Sequence, residues 1–270
     1  MNWLEALALA VVQGLTEFLP VSSSGHLVLT QTLFGISTST AFTYDIVLHL
    51  GTALSALVFY RADIAHLLRG LLPPYAQAPS EVRAARRLLL LLAAATAPTA
   101  AIGFAFKDFF EGLFASPAAV VAALAVTGTF LIASSRLRAP GRPLEDAPWW
   151  RAALVGVAQG VAIVPGISRS GSTIVAGLAA GLRREDAVRF SFLLSLPAIF
   201  GAALLELRHP PPGADGVPLA LNALGFAAAA ATGYLAILFV LRWTREGKLW
   251  QFGLYCWAVA AVGAAALARH

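Results

Sequence analysis

The chain has 270 residues, 59% of them hydrophobic and 12% charged, with a mean hydropathy of +0.75. So little charge cannot clothe a soluble globule, which excludes an ordinary cytosolic or secreted enzyme and marks an integral membrane protein. The net charge of +5 calls for no nucleic-acid partner, because membrane topology accounts for it, and the single cysteine, Cys256, excludes an intramolecular disulfide and reads as a packing or lipid-facing residue.

Met1-Asn2-Trp3-Leu4-Glu5 lacks the basic start of a signal peptide, so the first apolar segment is expected to stay in the mature fold. Ten apolar segments follow one another, at roughly 2–18, 24–34, 41–60, 84–106, 117–136, 149–164, 171–181, 186–207, 218–242 and 249–268. A span needs about 20 apolar residues. The segments 24–34 and 171–181 have only eleven each and follow directly on Ser/Gly loops, so each reads as the returning arm of a re-entrant hairpin. Irregular backbone at membrane depth is tolerated only where it is buried in protein or lines a wet cavity, and two such hairpins therefore imply a central polar chamber.

Six spans remain, three in each half of a single membrane domain covering 1–270. A shift of 146 residues lays Gln159-Gly160 on Gln13-Gly14 and Ser168-Arg169-Ser170-Gly171 on Ser22-Ser23-Ser24-Gly25, five identities in thirteen positions. Chance would give about one. The duplication divides the chain into copies of about 1–140 and 147–270. An odd number of spans per copy makes the second enter from the opposite side, an inverted repeat with its site between the copies. The fold class expected is thus all-α, with six transmembrane helices and two re-entrant helix-loop-helix hairpins.

The basic residues agree with this topology, since cytoplasmic loops carry the Lys/Arg excess. One side collects those at 61–87, 136–151, 183–189 and 242–248, and the other only Lys107, Arg208 and Arg269, with Arg169 left in the second Ser/Gly loop. Residues 73–83, with Pro73, Pro74 and Pro79, read as the longest cytoplasmic connection, and the cluster beginning Arg208-His-Pro-Pro-Pro as an outward-facing turn.

Polar chemistry concentrates in Gln13-Gly-Leu-Thr-Glu17-Phe-Leu-Pro20-Val-Ser22-Ser23-Ser24-Gly25-His26. Gln13 and Glu17 are four apart and share a helix face. A carboxylate at membrane depth costs roughly 3 kcal/mol, so Glu17 is a functional candidate by default. Ser22, Ser23 and Ser24 open one half-helix and Ser168, Arg169 and Ser170 another, and the unpaired N–H groups of two such starts, with the guanidinium of Arg169, make a cradle suited to phosphate. His26, one turn on, is placed to donate a proton or touch phosphate. His49 and Asp45, four apart on the third segment, read as supporting polar packing.

Gln13 to His26, together with Pro165-Gly-Ile-Ser-Arg-Ser-Gly-Ser-Thr173, closely resembles the two signature motifs of the bacitracin-resistance type undecaprenyl-diphosphatases, and the resemblance covers the whole chain. The family's first motif begins with Glu or Gln, here Gln13. The resemblance implies dephosphorylation of undecaprenyl diphosphate to the carrier lipid used in peptidoglycan synthesis, in the bacterial plasma membrane with the site open to the outer face. Carried over by position, it implies Glu17, Ser22, Ser23, His26, Ser168, Arg169, Ser170 and Thr173 as site residues, Thr173 on this ground alone. It also implies a divalent cation, Mg2+ or Ca2+, which Glu17 and the substrate phosphates would hold.

Phosphoryl transfer asks for positioning, charge neutralisation and one activating group. Two routes fit: Ser23 attacks phosphorus with Glu17 as its base and His26 protonates a departing oxygen, or Glu17 activates water directly. Gln13, Ser22, Ser24, Ser168, Ser170 and Thr173 would line the phosphates. The partners expected are the lipid substrate and the bilayer, and a homodimer is compatible with both. A polyprenyl-phosphate transporter or flippase using the same midplane site is the alternative, since inverted repeats with broken helices also build transporters.

Overall fold

The computed structural model describes residues 1–71, 79–137, 141–210 and 216–268, the side chains at 38–40 and 79 excepted. Twelve α-helices lie among them: α1 (Trp3–Phe18), α2 (Ser23–Phe34), α3 (Thr38–Phe59), α4 (Arg61–Leu71), α5 (Pro79–Ala105), α6 (Lys107–Phe114), α7 (Pro117–Ala133), α8 (Trp149–Val161), α9 (Arg169–Ala179), α10 (Arg184–Arg208), α11 (Leu219–Arg245) and α12 (Leu249–Leu267). There is no strand among the described residues. Six stretches are long and apolar enough to cross a membrane: Ala41–Phe59, Ser80–Ala105, Pro117–Arg136, Arg184–Arg208, Leu219–Arg245 and Leu249–Leu267. These are the six spans the sequence predicts, and the protein is a multi-pass membrane protein.

Two details differ from the reading of the sequence. Residues 79–83, expected in a connection, form the first turn of α5. Proline suits a first helical turn, where its missing N–H is not needed, and Glu81 complements the dipole there. The rest of that connection, with Pro73 and Pro74, lies outside the described residues, as do Arg138, Arg269 and the prolines at 211 and 212. The short helices α4 and α6 were not anticipated. Both are amphipathic: α6 turns Phe109 outward and buries Phe110.

Local chemistry explains how the short helices begin. Asn2 and Glu5 close a capping box on α1, with Glu5 N–H donating to Asn2 Oδ1 at 2.9 Å and Asn2 N–H to Glu5 Oε2 at 2.8 Å. Ser22 caps α2 by accepting from Gly25 N–H at 3.3 Å, and Ser168 caps α9 by accepting from Gly171 N–H at 3.0 Å. Helix α1 packs on α2, and α8 packs on α9.

Packing crosses the halves. Helix α1 lies along α11 and α8 along α5, while α7 packs on α12 and α3 on α10. Small residues permit these approaches, because between membrane helices close contact replaces the hydrophobic effect as the driving force. The α7–α12 crossing is close on both sides: a Cβ at Gly128 would lie 2.7 Å from the Gly253 carbonyl oxygen, and one at Gly253 would lie 2.6 Å from that of Gly128. Helix α10 forms the centre, with Val188, Phe190, Phe192, Leu193 and Leu194 buried. Phe18 meets Phe192 edge to face at 5.0 Å, which anchors the end of α1 to the core.

At the Arg-rich face, Arg189 of α10 ties three segments together. Its Nε donates to Asp63 Oδ1 at 2.7 Å and its Nη1 to Glu145 Oε1 at 2.9 Å, while Arg87 donates to the carbonyls of Glu145 and Ala147 at 2.9 and 2.8 Å. Burial works to raise the pKa of the Glu145 carboxyl, but its own backbone N–H and the Arg189 guanidinium outweigh it, so the pKa lies below the ordinary glutamate value.

Two measurements of unfolding in detergent check these contacts. Gly253→Leu at the helix crossing is expected to destabilise by about 1–3 kcal/mol or more through overpacking, read as a lowered melting temperature. Because folding depresses the Glu145 pKa, its contribution is complete above the ordinary glutamate range and is lost as pH falls below about 4. The stability of Glu145→Gln should accordingly respond less steeply to acid than that of the wild type.

Candidate active site

The site forms where the end of α1, the start of α2 and the start of α9 meet, with α3 and α12 flanking it. The two capped turns interlock. A Cβ on Gly25 would lie 3.1 Å from Gly166 Cα, and one on Gly171 would lie 3.3 Å from Pro20 Cβ. Each contact is the other shifted by 146 residues. Gly166 has φ 97°, and a side chain there would strike the Val120 carbonyl oxygen at 2.4 Å, so glycine alone fits. Thr127 of α7 holds this turn from behind, donating to the Gly166 carbonyl at 2.8 Å and accepting from Ser168 N–H at 3.0 Å.

Glu17 is the hub. Its Oε1 accepts from Arg169 Nη2 at 2.7 Å, and its Oε2 accepts from Ser23 Oγ at 2.6 Å and from Gln13 Nε2 at 2.9 Å. Arg169 Nη2 also reaches the Glu17 backbone carbonyl at 3.4 Å. The carboxylate is buried, and its chief countercharge comes from the other half of the chain. Arg169 Nη1 and Gln13 Oε1 are buried without a partner, so a donor and an acceptor face inward beside the carboxylate.

The turn that delivers Ser23 is strained. Ser22 has φ 71°, the only non-glycine residue with positive φ among the described residues. Such a conformation costs on the order of 1–3 kcal/mol and persists only where surrounding contacts impose it. Those contacts are visible: the Ser22 carbonyl accepts from His26 N–H at 3.1 Å and from His26 Nδ1 at 2.8 Å, while Ser23 Oγ is held on Glu17. Ser168, its counterpart in the second turn, has an ordinary φ of −72°.

The candidates of the sequence reading separate into four groups. Gln13, Ser23 and Arg169 each donate directly to the Glu17 carboxylate. Ser22, Ser24, Ser168 and Ser170 sit at the two caps; the first and last two are buried, Ser170 Oγ donates to the Leu19 carbonyl at 3.0 Å, and Ser24 is half-buried. Thr173 is turned into the protein, its hydroxyl 2.5 Å from Ser191 Oγ on α10 and 2.9 Å from the Arg169 carbonyl, so it braces α9. His26 is bonded to the Ser22 carbonyl and, through Nε2, to the Tyr255 hydroxyl at 2.9 Å.

Two neighbours were not singled out for the site. His49 Nε2 lies 3.9 Å from Glu17 Oε2, its Nδ1 held by the Asp45 carbonyl at 2.8 Å. The sequence placed His49 and Asp45 together as polar packing, and only the seating of α3 against α1 brings His49 to the carboxylate. Tyr255 of α12 is 229 residues from His26, and no motif marks it. Gln31 donates to both oxygens of Asp45, at 3.0 and 2.8 Å.

No group of three or more His, Cys, Asp or Glu that could cage a metal occurs among the described residues. The oxygens available for a cation beside bound phosphates are those of Glu17 and the unpartnered Oε1 of Gln13.

A polytopic helical membrane protein with a serine and an arginine converging on one buried carboxylate, beside two helix N-termini, has the equipment of a phosphoryl-transfer site. Comparison with known proteins narrows this class. The family model described as bacitracin resistance protein BacA matches residues 6–262, and the chain belongs to that family. A relative from Carboxydothermus hydrogenoformans, named undecaprenyl-diphosphatase, is 44% identical over 260 residues, 95% of this chain and 94% of its own. Relatives with the same name from Syntrophotalea carbinolica and Rubrobacter xylanophilus are 43% and 42% identical, covering 97% and 99% of this chain and 98% and 99% of theirs.

Removing one member of the buried ion pair leaves the other uncompensated. Arg169→Ala and Glu17→Ala are each expected to lose about 3–5 kcal/mol, and the double variant less than the sum of the two. Thermal unfolding of the three variants in detergent reads this coupling directly.

Proposed function

We propose that the protein is a membrane phosphatase that hydrolyses undecaprenyl diphosphate to undecaprenyl phosphate and inorganic phosphate, recycling the carrier lipid of peptidoglycan synthesis. One observation carries the chemistry: Ser23 Oγ stands 2.6 Å from a Glu17 oxygen, while Arg169 neutralises the other oxygen and keeps a second guanidinium nitrogen free. Family membership and the shared name of the relatives support the substrate.

In this mechanism the diphosphate lies against the N-termini of α2 and α9, where unpaired N–H groups and the dipole ends favour an anion, with Arg169 as its principal cation. Ser23 attacks the terminal phosphorus as its proton passes to Glu17, and His26 supplies the proton taken by the departing oxygen. Gln13 and Arg169 hold the carboxylate in line. The contacts that impose the strain at Ser22 hold Ser23 on Glu17 before substrate arrives, so less ordering is required in the transition state. Glu17 and Gln13 Oε1 would hold a magnesium or calcium ion arriving with the phosphates, and the ion would supply further charge neutralisation. Transport alone has no use for a serine paired with a buried base, which favours hydrolysis over a flippase.

We read the α1–α2 and α8–α9 pairs as re-entrant hairpins of an inverted repeat, with the Arg-rich face cytoplasmic and the site open outward in the bacterial plasma membrane. The exchanged packing of α1 on α11 and α8 on α5, with α7 on α12, supports the repeat, and the basic-residue distribution supports the orientation.

Purified protein in detergent, where nothing can be transported, is expected to release phosphate from undecaprenyl diphosphate, more so with magnesium or calcium. Glu17→Gln and Ser23→Ala should each lower the rate at least about 10³-fold. A phosphoserine at position 23 on rapid quenching marks the serine route, whereas wild-type turnover retained by Ser23→Ala would assign the attack to water. No release by well-folded wild type would overturn the phosphatase.

A further inference from the structure

Both ring nitrogens of His26 are held by other groups of the protein. Its Nδ1 faces the Ser22 carbonyl at 2.8 Å; a carbonyl can only accept, so Nδ1 carries a hydrogen whether the ring is neutral or charged. Its Nε2 is taken by the Tyr255 hydroxyl at 2.9 Å, and the two rings stack with centroids 5.6 Å apart and planes 8° from parallel. Both nitrogens are therefore engaged within the protein. The Tyr255 hydroxyl, in contrast, has this one hydrogen bond among the described residues, can make up to two more, and belongs to a side chain that is 46% exposed.

Resting on the phosphatase reading above, we infer that Tyr255 is a further catalytic residue of the reaction: its hydroxyl meets the substrate phosphates, and His26 acts through it as a proton relay. With His26 neutral, Tyr255 spends its hydrogen on Nε2 and offers only lone pairs outward. With His26 protonated, Nε2–H donates to the tyrosine oxygen, and the tyrosine hydrogen turns toward the phosphate. As Ser23 Oγ bonds to the terminal phosphorus, its proton goes to Glu17 and the bond from that phosphorus to the bridging oxygen breaks. The electron pair stays on the departing oxygen, which takes the Tyr255 proton while Tyr255 takes the Nε2 proton. His26 ends neutral; water then attacks the phosphorus on Ser23, its proton returning through Tyr255 to His26, while the Ser23 oxygen leaves phosphorus and takes back the proton held by Glu17.

Steady-state phosphate release from undecaprenyl diphosphate in detergent tests the assignment with wild type, Tyr255→Phe, His26→Ala, the double variant and Trp257→Phe. Tyr255→Phe keeps the stacked ring and removes only the hydroxyl. It is expected to lower kcat at least about tenfold with KM within about twofold, and to add nothing further in the His26→Ala background. Trp257 shares α12 and anchors it to the Ala125 carbonyl at 3.0 Å, away from the cluster, so Trp257→Phe should keep the wild-type kcat. Unchanged kcat in Tyr255→Phe, losses that multiply in the double variant, or an equal loss in Trp257→Phe would overturn the role of Tyr255 and leave the phosphatase standing. An inactive wild type would instead remove the reading on which it rests.

Discussion

The centre of the molecule depends on one buried ion pair between Glu17 and Arg169. A carboxylate at this depth is tolerable only with a countercharge and hydrogen bonds, and the 2.7 Å contact supplies both from a residue 152 positions away. Neither motif is electrostatically complete alone. The pair therefore does two things at once: it joins the two halves through their most polar turns, and it sets a buried carboxylate beside a guanidinium.

Two similar turns, 146 residues apart, build this arrangement. The two turns share their capping serines and interlock through Gly25 on Gly166 and Gly171 on Pro20. Where the two motifs differ, the polar groups are divided: under the 146-residue shift Glu17 stands opposite Ile163 and Ser23 opposite Arg169, so one supplies the carboxylate and hydroxyl and the other the guanidinium. Backbone strain follows the same division. The turn carrying Ser23 holds Ser22 at φ 71°, whereas the turn carrying Arg169 is relaxed at Ser168. A cap alone requires no such distortion; aiming a hydroxyl at a fixed carboxylate does.

Much of this was legible in the chain. The six spans and the serine caps follow from apolar run length and local hydrogen bonding, and Gln13 with Glu17 follows from helical spacing. The first turn of α5 was missed because a proline pair upstream reads as a breaker, although Pro79 itself is suited to start a helix. His49 was seen only as packing and Tyr255 not at all, since neither stands at any fixed interval from the motifs; α3 and α12 carry them in. Thr173, carried over by resemblance, faces Ser191 on α10, an orientation set by how α9 rolls against its neighbour.

The sequence by itself determined the class of protein, the number of spans and the identity of the polar side chains, because each depends on composition, run length or spacing within one segment. Only the tertiary structure decided which of those side chains touch. Whether Arg169 meets Glu17 or solvent, whether Ser23 or Ser24 reaches the carboxylate, and which residue occupies the far nitrogen of His26 all depend on contacts between helices distant in the chain. Those distances are settled by close packing at points such as Gly128 on Gly253, and packing is a property of pairs of segments that no single segment encodes.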